Sequence, residues 1–283
     1  MTSIATNRAA IRVHYHGINN AELENQSFTR LASGRRVNNA SDDAGGLFIA
    51  GRMRAQISGL ERAVQNSFDG ISLVNTAEAN LNEIRNMVLR MRELAVQMAN
   101  GIYLDNPDRG FAQIEIDQLI QQIDMIGENA NFNGVSLLDG TMQNVGIQTG
   151  PTANERPSIF FKDNTTKGLG IDGVDVTTQA NSKTAMDTLE IALTSISDEL
   201  SRAGAYENRF GHTISVLEQT AKSTKFARGR IMDADMASES TALSKAQVLS
   251  QANAAMLAQA SSIAAFLRSG PRTPRREQPD GRV

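Results

Sequence analysis

Five groups of residues have types and spacings that invite a chemical reading. Gly168-Leu169-Gly170-Ile171-Asp172-Gly173 matches the glycine fingerprint of a dinucleotide site letter for letter. That fingerprint works only when a strand precedes it and a helix opens inside it, aiming backbone amides at a pyrophosphate. Here Val174-Asp-Val-Thr-Thr178 follows, which reads as strand or loop, so the glycines are expected to permit turns. His14 and His16 flank Tyr15, and His212 is the third and last histidine. On a helix, two positions apart means roughly 200° of rotation, so the two rings cannot share a metal ion. Asp42-Asp43 and Asp233-Ala234-Asp235 are paired carboxylates without a suitable His, Lys or Gly-rich loop, and helix capping is the expected role. Met87, Met91, Met98 and Met125 sit on or beside apolar seams, where packing is the default. No Gly-x-Ser-x-Gly or Walker-type loop occurs, and the absence of Cys removes thiol nucleophiles and Cys-ligated metals. No active site and no cofactor are expected.

The elements that carry these groups are long helices. Ile71, Val74, Ala77, Leu81, Ile84, Val88, Met91, Leu94 and Met98 recur at three- and four-residue steps, and Leu47, Ala50, Ile57, Leu60, Val64 and Phe68 extend the series upstream. The spacing predicts a helix over 43–99, roughly 85 Å long at 1.5 Å per residue, of coiled-coil type. Capping residues at 38–43 start it and Asn100-Gly101 is expected to end it in a left-handed stop. A second helix is predicted over 107–128, with Ile116, Leu119, Ile120, Ile123 and Ile126 as its stripe, and a third over 183–230. Three seams of one period should pack as an antiparallel rod. Between the second and third helices, Asn133-Gly134 and Asp139-Gly140 are turn dipeptides, and Val145, Ile147, Ser158–Phe161, Val174 and Val176 are β-prone or alternate with polar residues. A small β-hairpin element is therefore expected at about 135–178.

The ends differ. Residues 1–34 carry Ile4, Ile11, Ile18, Leu23, Phe28 and Leu31, too sparse for an independent helix. Residues 233–268 are rich in Ala, Ser and Gln, with Leu243, Leu249, Met256, Leu257, Ala260, Ile263 and Leu267 on one side. Both should be marginal alone and helical when packed. Residues 269–283 hold three of the six prolines and read as a disordered basic tail.

Composition narrows the class. Of 283 residues, 40% are hydrophobic but only 5% aromatic, which suits thin helical seams better than one round core. The net charge of −3 conceals basic ends and an acidic middle. The ends lack the interleaved aromatics that stack bases, apart from Tyr15 and Phe28, so no nucleic-acid partner is expected. No apolar run is long enough to span a membrane, and the first residues lack the apolar core of a cleaved signal peptide. Any export is expected to use another route.

Several long motifs are similar to those of bacterial flagellins. They are Leu31-Ala-Ser-Gly-Arg-Arg-Val-Asn-Asn-Ala-Ser-Asp-Asp-Ala-Gly-Gly-Leu47, Asn66-Ser-Phe-Asp-Gly-Ile-Ser-Leu-Val-Asn-Thr-Ala-Glu78, Met91–Gly101 and Phe132–Leu138, then Gly204–Phe210, Arg228–Ala237 and Leu257–Ala260. The resemblance implies a mainly α fold with two layers. Residues 1–39 and 233–268 would form a terminal inner, filament-core helical domain, and 40–232 the helical rod with its β-hairpin element. It implies a minimal structural subunit that polymerises into a flagellar filament for motility, and no enzyme. Implied subunit-packing residues of the inner domain are Ile4, Ile11, Ile18, Phe28, Leu31, Leu243, Leu249, Met256, Leu257 and Ile263. Implied partners are further copies, the flagellar type III export apparatus, a chaperone on the C-terminal segment, and the filament cap and hook-junction proteins. Leu89-Arg-Met-Arg-Glu-Leu94 resembles a region that a Toll-like receptor reads in some flagellins, which suggests a surface of Arg90, Leu94 and Glu115. The alternative is the hook–filament junction protein of the same architecture. The location implied is an external filament, or a periplasmic one as in spirochaetes. Two departures stand out: a more polar and basic start, and Ala265-Phe-Leu-Arg268 with fifteen further residues where such chains usually end in Leu-Leu-Arg.

Overall fold

The computed structural model describes residues 6–105 and 107–269, so Ile4 and all of the basic tail beyond Ser269 lie outside the described residues. Six helices, α1 (Arg8–Ser33), α2 (Ala44–Met98), α3 (Asp108–Asn129), α4 (Thr166–Leu169), α5 (Gln179–Met232) and α6 (Met236–Ser269), account for most of the described residues. The predicted helices at 43–99, 107–128 and 183–230 thus form within a few residues of the expected bounds. The chain divides into two compact units, Arg54–Lys225 and the paired ends Met1–Met53 with Phe226–Val283, and the division falls inside α2 and α5.

In the Arg54–Lys225 unit, ion pairs read out the direction of each helix. Arg92 meets Glu190 at 2.8 Å and Lys225 meets Glu61 at 2.6 Å, so α2 and α5 run antiparallel. Arg90 meets Glu115 at 2.8 Å, so α3 returns along α2. The seam holds Val74, Ala77, Leu81, Ile84, Val88 and Met91 of α2, each with no exposed surface, against Ile116 and Ile123 of α3 and Leu189, Ala192 and Ile196 of α5. This is the coiled-coil-like antiparallel packing that the shared period predicts.

The end of α2 departs from expectation. The helix stops at Met98, and among the described residues positive φ at glycine occurs at 34, 134, 140 and 170, not at 101. Arg109 takes over the capping. Its guanidinium, 3% exposed, donates to the carbonyls of Met98 at 2.9 Å, Asn100 at 3.0 Å and Tyr103 at 2.7 Å, and pairs with Asp105. Gln179 Nε2 donates to the Ala99 carbonyl at 3.0 Å. Side chains satisfy the orphan carbonyls, so no left-handed residue is needed.

The β element also differs in form from a single hairpin at 135–178. Two separate antiparallel pairs occur: β1 (Asn131–Phe132) with β2 (Val135–Ser136), and β3 (Val145–Gly146) with β4 (Ser158–Ile159). Asn133 at φ 50° and Gly134 at φ 81° make the first turn, as their dipeptide predicts. Val174 and Val176 join no strand and instead bury their side chains. Gln113 of α3 holds that backbone, donating to the Val174 carbonyl at 3.1 Å and accepting from Val176 N–H at 2.8 Å. A helix side chain has replaced the missing strand partner.

Gly168, Gly170 and Gly173 make no nucleotide fingerprint. Gly168 lies in α4, whose N-cap Thr165 accepts from the Gly168 amide, and Gly170 at φ 68° stops the helix. A Cβ at Gly168 would run into the carbonyl and side chain of Asp163. Gly168→Ala is therefore expected to destabilise this unit by roughly 1–3 kcal/mol. A urea midpoint unchanged from wild type would contradict it.

Candidate functional site

The unit formed by the chain ends is built differently. α1 and α6 run antiparallel: Asn7 Nδ2 donates to the Ala260 carbonyl at 2.9 Å, Asn20 Nδ2 to the Ala246 carbonyl at 2.7 Å, and Arg30 pairs with Glu239 at 3.0 Å. The side chains of Arg30 and Glu239 are 23% and 14% exposed. The helices join α2 and α5 through a backbone clasp. Ala234 N–H donates to the Gly34 carbonyl at 3.0 Å and Arg36 N–H to the Met232 carbonyl at 2.7 Å, with Arg35 and Asp233 forming an isolated bridge.

The paired carboxylates serve this clasp as caps. Asp43 Oδ1 accepts from Gly46 N–H at 2.8 Å, and Asp235 Oδ1 from Ala237 N–H at 3.0 Å. Asp42 accepts from the amides of Asn38 and Asn39, and those of Asn39, then Asn38, hold its carboxyl below the ordinary range. His14 and His16 lie exposed on α1, without a chelating geometry.

Among the described residues, α1 and α6 enclose no core of their own. The residues of α1 buried in the structure are Asn20 and Ser27, and α6 contributes Ala246. Large apolar side chains stay open instead. Ile11 and Ile18 with Leu257 line a shallow groove that includes His14 and Tyr15. Phe28 is 64% exposed, Leu249, Met256, Leu257 and Ile263 are exposed to varying degrees, and Leu31 and Leu243 are half-buried. Ordering a backbone opposes folding by about 1–2 kcal/mol per residue, and an open pair recovers little of that by burial. Covering some ten half-open side chains would add roughly 10 kcal/mol.

On the other unit, the structure brings Arg90 and Glu115 together as an exposed ion pair, with Glu93 a second partner of Arg90 at 3.4 Å. The hydrogen bond and charge of Glu115 hold the Arg90 guanidinium still more firmly protonated. Leu94 does not join them at the surface. It is 5% exposed and packs in the hydrophobic core, which corrects its placement on that surface. The period of α2 had already put Leu94 in the seam with Met91 and Met98.

Sequence reasoning missed three polar anchors. Asn20 and Arg109 are buried, and Glu199 sits in the α5 seam with no exposed surface, accepting from Lys162 N–H at 3.4 Å and lying 3.6 Å from Arg202. A charged residue at a seam position of α5 was the available signal for Glu199. For Asn20 and Arg109 the sequence offers none, because the carbonyls that bury them are backbone groups, and the Asp105 carboxylate four residues before Arg109 reads as an ordinary exposed pair.

Among the described residues no group of three or more His, Cys, Asp or Glu could hold a metal ion, and no helix is long and apolar enough to cross a membrane. The described residues thus form one closed helical unit and a second, open one made from the two ends. The comparisons with known proteins specify the class further. Residues 4–143 match the bacterial flagellin N-terminal helical region and residues 186–267 the bacterial flagellin C-terminal helical region. A flagellin of Halalkalibacterium halodurans is 37% identical over 90% of this chain and 94% of its own length. The flagellar filament core protein flaB2 of Brachyspira hyodysenteriae is 38% identical over 82% of this chain and 87% of its own. The crystal structure of Bacillus cereus flagellin, 32% identical, covers 54% of this chain and 88% of its own with a TM-score of 0.48. The chain belongs to the bacterial flagellin family, a family of structural proteins and not of enzymes.

Proposed function

We propose that the chain is the subunit that polymerises into the bacterial flagellar filament used for swimming, and that α1 and α6 are the part each copy completes for its neighbours. The observation that carries this reading is the set of open apolar side chains on both end helices, Ile11, Ile18, Phe28, Leu249, Met256, Leu257 and Ile263, with Leu31 and Leu243 half-covered. Neighbouring copies bury these stripes, and the burial offsets the ordering of marginal ends. A head-to-tail contact whose rotation does not close produces an open helical polymer. The junction-protein alternative is not favoured, since the relatives above are named for the filament and its flagellins.

The test is seeded elongation: purified chain added to short filament fragments and followed by electron microscopy. Growth of the fragments supports the reading, and a folded chain that never adds to them removes it. The Arg30–Glu239 pair supplies a finer test. Arg30→Glu is expected to weaken filaments by about 1–2 kcal/mol per subunit, because two carboxylates then face each other in a partly covered seam. The exchanged pair, Arg30→Glu with Glu239→Arg, should restore most of the loss. Filament melting temperatures for the four combinations decide it, and an exchanged pair no better than the single variants would refute the coupling.

As a filament component the chain works outside the cytoplasmic membrane, in an external or a periplasmic filament. Export through the flagellar type III apparatus follows from this role, with a chaperone holding the C-terminal segment during transit. At its ends the polymer meets the hook-junction proteins and the filament cap. A Toll-like receptor is a further partner, reading the exposed Arg90–Glu115 pair with Leu94 packed beneath it. Arg90→Ala is expected to lower receptor activation about tenfold, by loss of a charged contact worth about 1.4 kcal/mol. An unchanged response in a reporter-cell assay would remove this partner.

A further inference from the structure

Two rows, each with members seven residues apart, run along α6. Ala246, Asn253 and Ala260 make the first, in which Ala246 is buried and the other two are half-buried. Ala246 and Ala260 offer their carbonyls to Asn20 and Asn7, so this row faces α1. Leu249, Met256 and Ile263 make the second row, three residues further on, and are 43%, 59% and 52% exposed. The second row has the period of a helix seam, but no helix among the described residues covers it.

Met256 is the middle and most open member of that row, and a thioether differs from its Leu and Ile neighbours in one respect that matters. Its sulfur lone pair attacks the oxygen of a peroxide. The S–O bond forms as the O–O bond breaks, the sulfur loses two electrons, and the departing hydroxide takes a proton to leave as water. The product is a sulfoxide, a strong polar acceptor in place of an apolar sulfur. Buried in a helix seam it would lack a donor and oppose association. Met91, Met98 and Met142, at 0%, 4% and 2% exposure, are shielded in the folded subunit, whereas Met125 and Met236 are open at 55% and 52% but lie outside this row.

We propose that Met256 is an oxidation site for peroxide-class oxidants and that its sulfoxide stops filament growth. The inference rests on the filament reading above. The experiment treats the full chain with dilute hydrogen peroxide, maps sulfoxides by peptide mass spectrometry and measures seeded elongation. Three chains are compared: wild type, Met256→Leu, and the double variant Met125→Leu with Met236→Leu. Met256 should oxidise well before Met91, and elongation by treated wild type should fall at least about tenfold. Each chain is referred to its own untreated rate: Met256→Leu should retain its untreated rate after the same treatment, and the double variant should lose its rate as wild type does. Treated Met256→Leu slowing as much as wild type, or Met256 resisting doses that convert Met125, overturns the assignment. Untreated wild type failing to elongate removes the filament reading itself, and this inference with it.

Discussion

A chain lacking residues 1–39 and 233–283 is expected to lose seeded elongation completely while its remaining helices still melt cooperatively. The 40–232 fragment keeps the whole Arg54–Lys225 unit, whose continuous hydrophobic core runs from Leu73 to Met98 on α2, through Ala112, Ile116 and Ile123 on α3, to Phe210 on α5. Phe161, Ile159 and Ile171, none of them exposed, close the core where the strand pairs lie. Among the described residues that core draws on none before residue 40 or after residue 232, so its cooperativity should survive the truncation. What the fragment loses is α1, α6 and every open apolar side chain they carry. The effect on growth is therefore all-or-none, while far-UV circular dichroism and calorimetry should show a helical unit with one cooperative transition. Two results count against this: fragments that elongate seeds, or a fragment with no cooperative melt.

Arg109→Met should be the most damaging single substitution in the Arg54–Lys225 unit. Its guanidinium spends its donors on three carbonyls at the α2–α3 connection, and methionine would leave the carbonyls of Met98, Asn100 and Tyr103 without those donors in a site that is 3% exposed. Unsatisfied buried acceptors oppose folding by about 1–3 kcal/mol each, partly relieved by water, so a loss of roughly 3–5 kcal/mol is expected. For a unit of this size that corresponds to a melting temperature lower by about 6–15 °C. Arg109→Lys should rescue little, because one ammonium on a flexible stem cannot reach three carbonyls spread along a turn. Leu104 N–H donating to Asp108 at 3.1 Å adds to the same turn but does not replace the guanidinium. A calorimetric shift under about 2 °C would show that water fills the role of the arginine.

The two expectations also mark where sequence reading succeeds. Truncation follows from patterns visible in the chain itself: dense seams at 57–98 and 185–221, sparse ones at the ends. Period is a local property, so Ile84, Val88 and Met91 could be assigned to the core before any coordinates. Leu94 shows the strength of that signal. Its three- and four-residue spacing from Met91 and Met98 placed it inside, and the structure agrees, whereas resemblance to a receptor-read surface placed it outside. The turn at Asn133-Gly134 was equally legible, because a tight turn with positive φ at both positions tolerates few residue pairs.

The role of Arg109 was not legible. Arginine early in a helix reads as solvated, and its burial depends on where the preceding helix stops and how the chain turns back. The Asn100-Gly101 stop failed for the same reason, since a side chain of the next helix satisfies the carbonyls that a left-handed residue would otherwise serve. Val174 and Val176 alternate like a strand but find their backbone partner in Gln113 of α3, a contact between segments some sixty residues apart. By itself, then, the sequence determined the helices, their shared period, the turn at 133–134 and the openness of the ends, because each follows from side-chain spacing within a few turns of chain. Only the tertiary structure decided which polar groups are buried. Asn20 against the Ala246 carbonyl and Glu199 against the Lys162 N–H depend on backbone groups far along the chain, Arg109 depends on how the α2–α3 connection turns back, and a backbone partner leaves no mark in the sequence.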